Sequence, residues 1–348
     1  MHCRGDNYGL PFYDLPPVQT LLDPAILFFV FGVLAGMVRS NLEIPPPIAK
    51  FLSLYLLMAL GLKGGFALAK SGIDASIALS LGAAVLMALI VPALGYALLR
   101  NRVARFDAAA VAATYGSVSA VTFVTATQYI ELQGLTLGGH MAVAMALMES
   151  PAILMAVLLA NMLRARQAAS TGTSTIQGGS TTVPAVGLRK VLHESFTDGA
   201  QLLLLGAMAV GWLSGDAGKA TMQPFSGDLF KGMLAFFLLD MGLMVARSFA
   251  QARQASPVLV GYALFAPPVH ASIALALAAL LSMPVADAAL LMVLSASASY
   301  IAVPAVLRHA IPEANPSVYL GLSLGITFPV NILLGIPAYT QVARAVLG

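Results

Sequence analysis

Ten apolar segments, separated by charged, proline-containing or polar clusters, follow one another along most of the 348-residue chain. The hydrocarbon core of a bilayer takes about 20 apolar residues per helical crossing. Hydrophobic residues make up 59% of the chain and charged residues only 9%, against about 25% charged residues in a soluble domain. We therefore expect an all-α polytopic membrane protein with ten transmembrane helices. These predicted spans, numbered one to ten, lie near residues 24–41, 48–70, 75–100, 107–130, 140–165, 193–214, 228–250, 257–281, 285–309 and 317–345.

The charged and reactive residues argue against several function classes. The 18 basic and 15 acidic residues are scattered along the chain, so nothing supports nucleic-acid binding. Cys3 is the single cysteine, which rules out an intrachain disulfide. The sequence lacks His-Glu-x-x-His, Gly-x-Ser-x-Gly and Gly-Lys-Ser/Thr motifs, which mark metalloproteases, serine hydrolases and nucleotide-driven pumps. We expect a protein that is not an enzyme and carries no cofactor.

A Ser/Thr/Gly-rich stretch at residues 166–192 has no apolar period and predicts a flexible linker. It divides the spans into two five-helix units, residues 24–165 and 193–348. Residues of spans 2, 4 and 5 match residues of spans 7, 9 and 10 at offsets of 178 to 181 positions. The matched pairs include Lys50 with Lys231, Asp107 with Asp287, and Pro151 with Pro329. This agreement predicts an internal repeat, as in many secondary transporters.

The orientation in the membrane follows from helix number and charge. Five helices per unit turn the second unit upside down relative to the first, so the repeats are predicted to be inverted. With both termini outside, the cytoplasmic loops hold twelve Lys and Arg residues and the outer side holds five. Because basic residues accumulate on the cytoplasmic side, we expect a cytoplasmic linker, a periplasmic N-terminal segment at residues 1–23, and both termini outside.

Small and polar residues fill the middle of span 4, at 114–122, and of span 9, at 295–304. An unwound backbone in the bilayer core is tolerated only where it lines a cavity, and helix N-termini at such breaks bind anions without a basic side chain. We predict that both spans are interrupted and cross at mid-membrane around an anion. Alternatively, the serines bond the i−4 carbonyl or act as small packing residues. The predicted anion-binding residues are Gly116, Ser117, Val118, Ser119, Ser297, Ala298, Ser299 and Tyr300.

An acidic residue inside span 5 indicates a cation site. Glu149 lies deep in an apolar run, where an ionised group costs at least ~2.5–3.5 kcal/mol. Carboxylate, hydroxyl and carbonyl oxygens suit a hard cation, so we predict a sodium site at Glu149, Thr122, Thr327 and Asn331, with no other metal. The alternatives are a protonated or hydrogen-bonded structural glutamate, and polar groups that satisfy the kink at Pro329.

Two further charges lie inside predicted spans. Lys63 is in span 2 and Asp240 is in span 7, one residue before the glycine that matches Gly61 across the repeats. A charge in the membrane needs a partner. We predict that Lys63 and Asp240 form a gating or structural ion pair across the repeat interface, with substrate contact as the alternative.

Four motifs carry a family resemblance. They are LGLKGG at 60–65, YGSVSAVTF at 115–123, MALMESPAI at 145–153 and ASASYIAVP at 296–304. They resemble the sodium-dependent bicarbonate transporter family known from cyanobacteria, and the resemblance runs from about residue 24 to residue 345. It implies sodium-coupled uptake of bicarbonate across a bacterial plasma membrane by a homotrimer.

The same resemblance implies a domain arrangement and a partner. Spans 1, 2, 6 and 7 would form a gate domain, and spans 3 to 5 and 8 to 10 a core domain. Substrate and sodium sites would lie where spans 4 and 9 cross, and transport would follow an elevator-type alternating-access cycle. A PII-like nucleotide-sensing protein on the cytoplasmic face is an implied regulator, in addition to the lipid bilayer.

The residues themselves favour a singly charged substrate. Neither interrupted segment contains an arginine, whereas a dicarboxylate is usually held by guanidinium groups. Serine hydroxyls and backbone N–H groups match the acceptor oxygens and the hydroxyl of bicarbonate. The alternative functions are a secondary transporter of the same fold for another small monoanion, an anion channel, and a sensor that binds without transport.

Overall fold

The computed structural model of the protein describes residues 23–72, 74–170, 199–253 and 255–348. Residues 1–22 and linker residues 171–192 lie outside the described residues, and so do the predictions that fall on them. The first linker residues, 166–170, instead continue the helix Met141–Ser170. Within the described ranges the fold is all-helical, with no strand.

The described residues form fourteen α-helices, numbered α1 to α14. They are α1 Pro24–Met37, α2 Pro46–Ser71, α3 Ala75–Leu99, α4 Arg105–Gly116, α5 Ala120–Leu132, α6 Met141–Ser170, α7 Gly199–Gln223, α8 Leu229–Ala252, α9 Pro257–Leu280, α10 Val285–Ala296, α11 Ala302–Ala310, α12 Pro316–Leu322, α13 Phe328–Val330 and α14 Ile336–Leu347. Short π-helical segments at Pro224–Asp228, Ser323–Thr327 and Asn331–Gly335 follow α7, α12 and α13.

Seven helical stretches of the described chain are long and apolar enough to cross a membrane. One of them, Gly199–Phe249, has 51 residues. Its backbone leaves the helical conformation at Gly215 (φ 55°, ψ −143°), so it is not one continuous helix, and at about 20 residues per crossing it has enough residues for two crossings. The helices α1 and α10 are apolar but shorter, with 14 and 12 residues. The prediction of a multi-pass helical membrane protein is confirmed, while the count of ten spans stays a prediction.

Glycines bring the backbones of two helix pairs into contact. Gly32 of α1 faces Leu239 and Gly242 of α8, and Gly61 and Gly65 of α2 face α7. A Cβ atom at any of these glycines would overlap backbone of the opposite helix, so small residues are required, as is common between membrane helices. Contacts advance in the same direction along both members. Hence α1 runs parallel to α8, and α2 runs parallel to α7.

The helices that flank the polar runs lie in the interior. Residues 108–113 of α4 are fully buried, and α10 is buried from Ala286 through Ala296. A helix that is apolar on every side belongs in a protein interior, and the many alanines let neighbours approach closely. The helix α4 packs against α3 and α6, and α10 packs against α9 and α14.

Two aspartates at matching positions anchor α4 and α10. Asp107 Oδ1 accepts a 2.7 Å hydrogen bond from the backbone N–H of Asn315, and Asp287 Oδ1 accepts one of 2.7 Å from that of Gly138. Each aspartate therefore holds a loop from the other half of the chain. His140 Nε2 lies 3.8 Å from Asp287 Oδ2, next to the same loop.

Candidate functional site

Both polar runs leave the helical conformation. Residues 117–119 separate α4 from α5, and residues 297–301 separate α10 from α11. Ser117 and Ser297, the first residues of the two breaks, are extended with ψ values of 179° and 169°. A Cβ atom at Gly116 would lie 2.6 Å from the Pro92 ring, so the last residue of α4 has to be glycine. The predicted interruptions are therefore present.

The two breaks contact each other directly, and we call residues 116–119 with 297–300 the junction. The Ser299 N–H donates to the carbonyl oxygen of Thr114 at 2.8 Å. The Ser119 N–H donates to Ser297 Oγ at 3.1 Å, and that hydroxyl donates to the Leu294 carbonyl at 2.8 Å. These bonds satisfy part of the backbone that the interruptions free, as an apolar environment requires.

Unpaired hydroxyl groups surround the junction. All eight predicted anion-binding residues are buried from solvent. Three nearby hydroxyls, those of Ser117, Thr122 and Ser295, have no hydrogen-bond partner among the described residues. A buried polar group left unsatisfied costs roughly 1–3 kcal/mol, and native proteins keep few of them. These three oxygens are therefore the groups that a bound ligand would pair.

The electrostatics of the junction favour a small anion. Neither break contains a Lys or Arg residue. The helices α5 and α11 both begin here, where Ser119 Oγ accepts from Thr122 N at 3.2 Å and Ser299 Oγ accepts from Val303 N at 3.3 Å. The N-terminus of a helix carries a partial positive charge and free N–H groups. The arrangement can hold an anion with hydroxyl and backbone donors alone.

Three of the four predicted sodium residues contact the segments that flank the junction. Thr122 lies in the first turn of α5. Asn331 donates through Nδ2 to the carbonyl oxygen of Ala296 at 2.8 Å, and Thr327 Oγ1 lies 2.6 Å from the hydroxyl of Tyr115. The structure thus brings polar groups of the π-helical segments against the ends of α4 and α10.

The fourth predicted sodium residue faces a different helix. Glu149 of α6 accepts a hydrogen bond from the amide nitrogen of Gln201 on α7. In the described part of the chain no cluster of three or more His, Cys, Asp or Glu side chains could hold a metal. A cation near the junction would therefore be bound mainly by hydroxyl, amide and carbonyl oxygens.

Lys63 forms its ion pair with Glu131 and not, as the sequence predicted, with Asp240. The Lys63 Nζ lies 3.0 Å from Glu131 Oε2 at the end of α5. The prediction was wrong because Lys63 meets the start of α8, where its Nζ lies 4.4 Å from the Phe230 ring, whereas Asp240 lies ten residues, about 15 Å, farther along that helix. At that level α8 packs against α1, since Leu239 contacts Gly32.

Sequence reasoning also missed functional candidates. Ser295 stands in the same serine-rich run as Ser297 and Ser299, and that alternation of serine and alanine could have identified it. Tyr115 and Glu131 had no such signal, because their partners lie more than 60 residues away in sequence. Only the packing of the helices brings these pairs together.

Comparison with known proteins places these features in a family. The family model of the Na+-dependent bicarbonate transporter superfamily matches residues 24–344. The chain belongs to this superfamily. The match covers every described helix apart from the last three residues of α14, and it confirms the resemblance noted in the sequence motifs. No curated protein matches the chain. Membership in this superfamily favours transport of bicarbonate through a membrane over catalysis.

Proposed function

We propose that this protein is a sodium-coupled symporter that imports bicarbonate across a bacterial plasma membrane. The junction is the observation that supports the proposal most directly. It is buried, it offers unpaired hydroxyls and two helix N-termini, and it has no cationic side chain. Those donors suit a small anion with one negative charge. A second negative charge on the ligand would have no cationic side chain to balance it. In this proposal bicarbonate occupies the junction.

We further propose ten membrane helices arranged as two inverted five-helix repeats. The equivalent bonds of Asp107 and Asp287 support this arrangement, because each anchors a loop of the opposite half. The parallel pairs α1 with α8 and α2 with α7 support it as well, since each pair joins the two halves in the same way. The excess of basic residues on one side supports a cytoplasmic linker with both termini outside.

The glycine contacts support a division into gate and core domains. The helices α1, α2, α7 and α8 would form the gate, and α3 to α6 with α9 to α14 the core. In an elevator-type cycle the core carries the junction past the gate. A homotrimer and a PII-like regulator belong to the same proposal, which takes them from the family resemblance.

The proposed sodium site adjoins the anion site. Thr122 offers an unpaired hydroxyl, and Asn331 and Thr327 contact the ends of α10 and α4. Glu149 would supply a carboxylate to this site only by leaving Gln201 of α7, with which it is hydrogen-bonded. Sodium beside the anion would offset the repulsion between bicarbonate and the surrounding carbonyl oxygens, which explains why binding of one ion would favour the other.

The decisive experiment is uptake of labelled bicarbonate into proteoliposomes with and without an inward sodium gradient. We expect accumulation only with the gradient. Replacing both Ser117 and Ser299 with alanine should abolish uptake, while Ser272→Ala, a serine of α9 bonded to its own helix, should leave it unchanged. Uptake that ignores sodium would refute coupling, and normal uptake by the double variant would refute the site.

A second candidate is transport of another small monoanion by the same fold. It is favoured by the same donors, because hydroxyls and N–H groups accept any small monoanion. Unlabelled formate, nitrite or nitrate added in excess would separate the two. Competition stronger than that of unlabelled bicarbonate would assign the other anion as substrate.

A further inference from the structure

A cavity of about 1110 Å³ separates α2, α7 and α8 from α5 and α10. Seven charged side chains line it. They are Lys63, Lys70, Lys219, Lys231, Glu131, Asp216 and Asp228. Four of the six lysines of the chain thus face one cavity, and none of the described arginines does. In a chain with 9% charged residues, this concentration needs a chemical reason.

The use of lysine indicates weak and reversible anion binding. Lysine presents a compact and strongly hydrated charge, whereas arginine grips a carboxylate with a rigid two-pronged fork. Four lysines against three carboxylates leave the cavity with one net positive charge. Low-dielectric walls focus that charge and raise the local concentration of anions.

Lys63 is the most enclosed of these lysines. Its Nζ lies 3.0 Å from Glu131 Oε2 and 4.4 Å from the centre of the Phe230 ring, and its side chain is 25% exposed. Lys70, Lys219 and Lys231 are exposed and have no carboxylate within 4.0 Å in the part of the chain that the structure describes. Carboxylate and bicarbonate share a planar O–C–O group, so Glu131 presents to Lys63 the same oxygens that bicarbonate would.

The cavity extends toward the junction. Phe123 and Leu290 form part of its wall. Phe123 lies four residues after Ser119 and Leu290 lies seven before Ser297, which at 1.5 Å per residue is about 6 Å and about 10 Å along the helices. The wall of the lysine-lined cavity is therefore within two helical turns of both breaks.

We propose that this cavity is a second anion site, which captures a small carboxylate-like monoanion before it reaches the junction. Lys63 is the innermost residue of this site that binds the anion, and when no anion is bound its ammonium group is paired with the Glu131 carboxylate. Arrival of the anion displaces Glu131 and breaks the ion pair between α2 and α5. The proposal rests on the proposed function in one respect, that the substrate is a small monoanion.

The test measures binding of ¹³C-bicarbonate to the purified full-length protein from broadening of its NMR signal. The Ser117→Ala/Ser299→Ala background removes the junction site, so remaining binding reports the cavity. In that background Glu131→Gln should strengthen binding and Lys63→Gln should weaken it, each about fivefold, as expected for one partly screened charge pair. Lys50→Gln, at the other end of α2, is the matched control and should have no effect.

Opposite changes in the two variants support the proposal. If the ion pair were purely structural, the two substitutions would change the affinity for bicarbonate in the same direction or not at all, and that result would overturn the proposal. Loss of all binding in the double-serine background would overturn it as well. Lys63→Arg keeps the charge and should keep binding, which guards against a folding defect in Lys63→Gln. If formate binds with this pattern while the wild type fails to transport bicarbonate, the cavity proposal stands and the proposed function falls.

Discussion

Replacing Ser117 with alanine should weaken anion binding without lowering stability. The Ser117 hydroxyl is buried and has no partner among the described residues, so its removal takes away no protein hydrogen bond. An unpaired buried hydroxyl itself costs roughly 1–3 kcal/mol, and the variant should therefore be as stable as the wild type or more stable by about 1 kcal/mol. The loss should appear only when the ligand is present.

Ser297→Ala is the contrasting change. The Ser297 hydroxyl accepts from the Ser119 N–H at 3.1 Å and donates to Leu294, so alanine leaves a buried backbone donor unpaired. That defect should lower the free energy of unfolding by about 1–3 kcal/mol. For Ser117→Ala the lost bond is to a charged ligand, worth about 1.5–3 kcal/mol, which corresponds to a rise in Kd of about 13- to 160-fold.

Thermal unfolding in detergent and calorimetric titration with bicarbonate would measure the two effects separately. Ser272→Ala serves as the control, because its hydroxyl bonds its own helix at Pro268 and is exposed. The reasoning fails if Ser117→Ala unfolds as early as Ser297→Ala, or if it binds bicarbonate with wild-type affinity.

Three further changes test the packing around the site. Gly65→Val pushes side-chain atoms onto the backbone of α7 and should lower the free energy of unfolding by about 1–3 kcal/mol. Gly82→Val is the control, because Gly82 faces open space. Equal melting temperatures for the two variants would contradict the contact between Gly65 and α7. The hydrogen bond from Arg164 lowers the pKa of Glu313, so the pair stabilises the fold above the ordinary carboxyl pKa and stops doing so as the pH falls through the lowered one. Because the Glu313 side chain is 37% exposed, Glu313→Gln should lower the free energy of unfolding by no more than about 1 kcal/mol at pH 7. At a pH below both the ordinary and the lowered carboxyl pKa the variant and the wild type should melt alike. A loss of stability that does not depend on pH would be inconsistent with this pair. Asp287→Ala should lower the melting temperature by leaving a loop N–H unpaired, and Asp287→Asn, which keeps an acceptor, should restore most of it; failure of that rescue would show that the charge matters instead.

The helical membrane fold and the two breaks could be predicted because their signals are local. Apolar runs of membrane length and the serine-rich segments 114–122 and 295–304 are legible in the sequence itself. The partner of Lys63 could not be predicted, because it depends on which helix α2 packs against. The same holds for the bond between Glu149 and Gln201. Nothing in the sequence says that these residues meet.

The last predicted span shows a different limit. It was predicted as one helix over 317–345, but π-helical segments interrupt it at Ser323–Thr327 and Asn331–Gly335. Pro329 and Pro337 each lack an N–H and clash with the preceding turn, and each stands two residues after one of these π-helical segments. The prolines were visible in the sequence, yet whether a helix bends, ends or widens at proline is decided by its neighbours.

The junction is built from atoms of both halves of the chain, since Ser299 bonds Thr114 and Ser119 bonds Ser297. A polypeptide ending at Ser170 would contain only half of the junction. Its Asp107 carboxylate would lack the Asn315 N–H that it accepts a hydrogen bond from in the full chain. If the two halves are inverted as proposed, each contributes equivalent backbone and serine atoms to the junction, and neither half alone contains a whole junction.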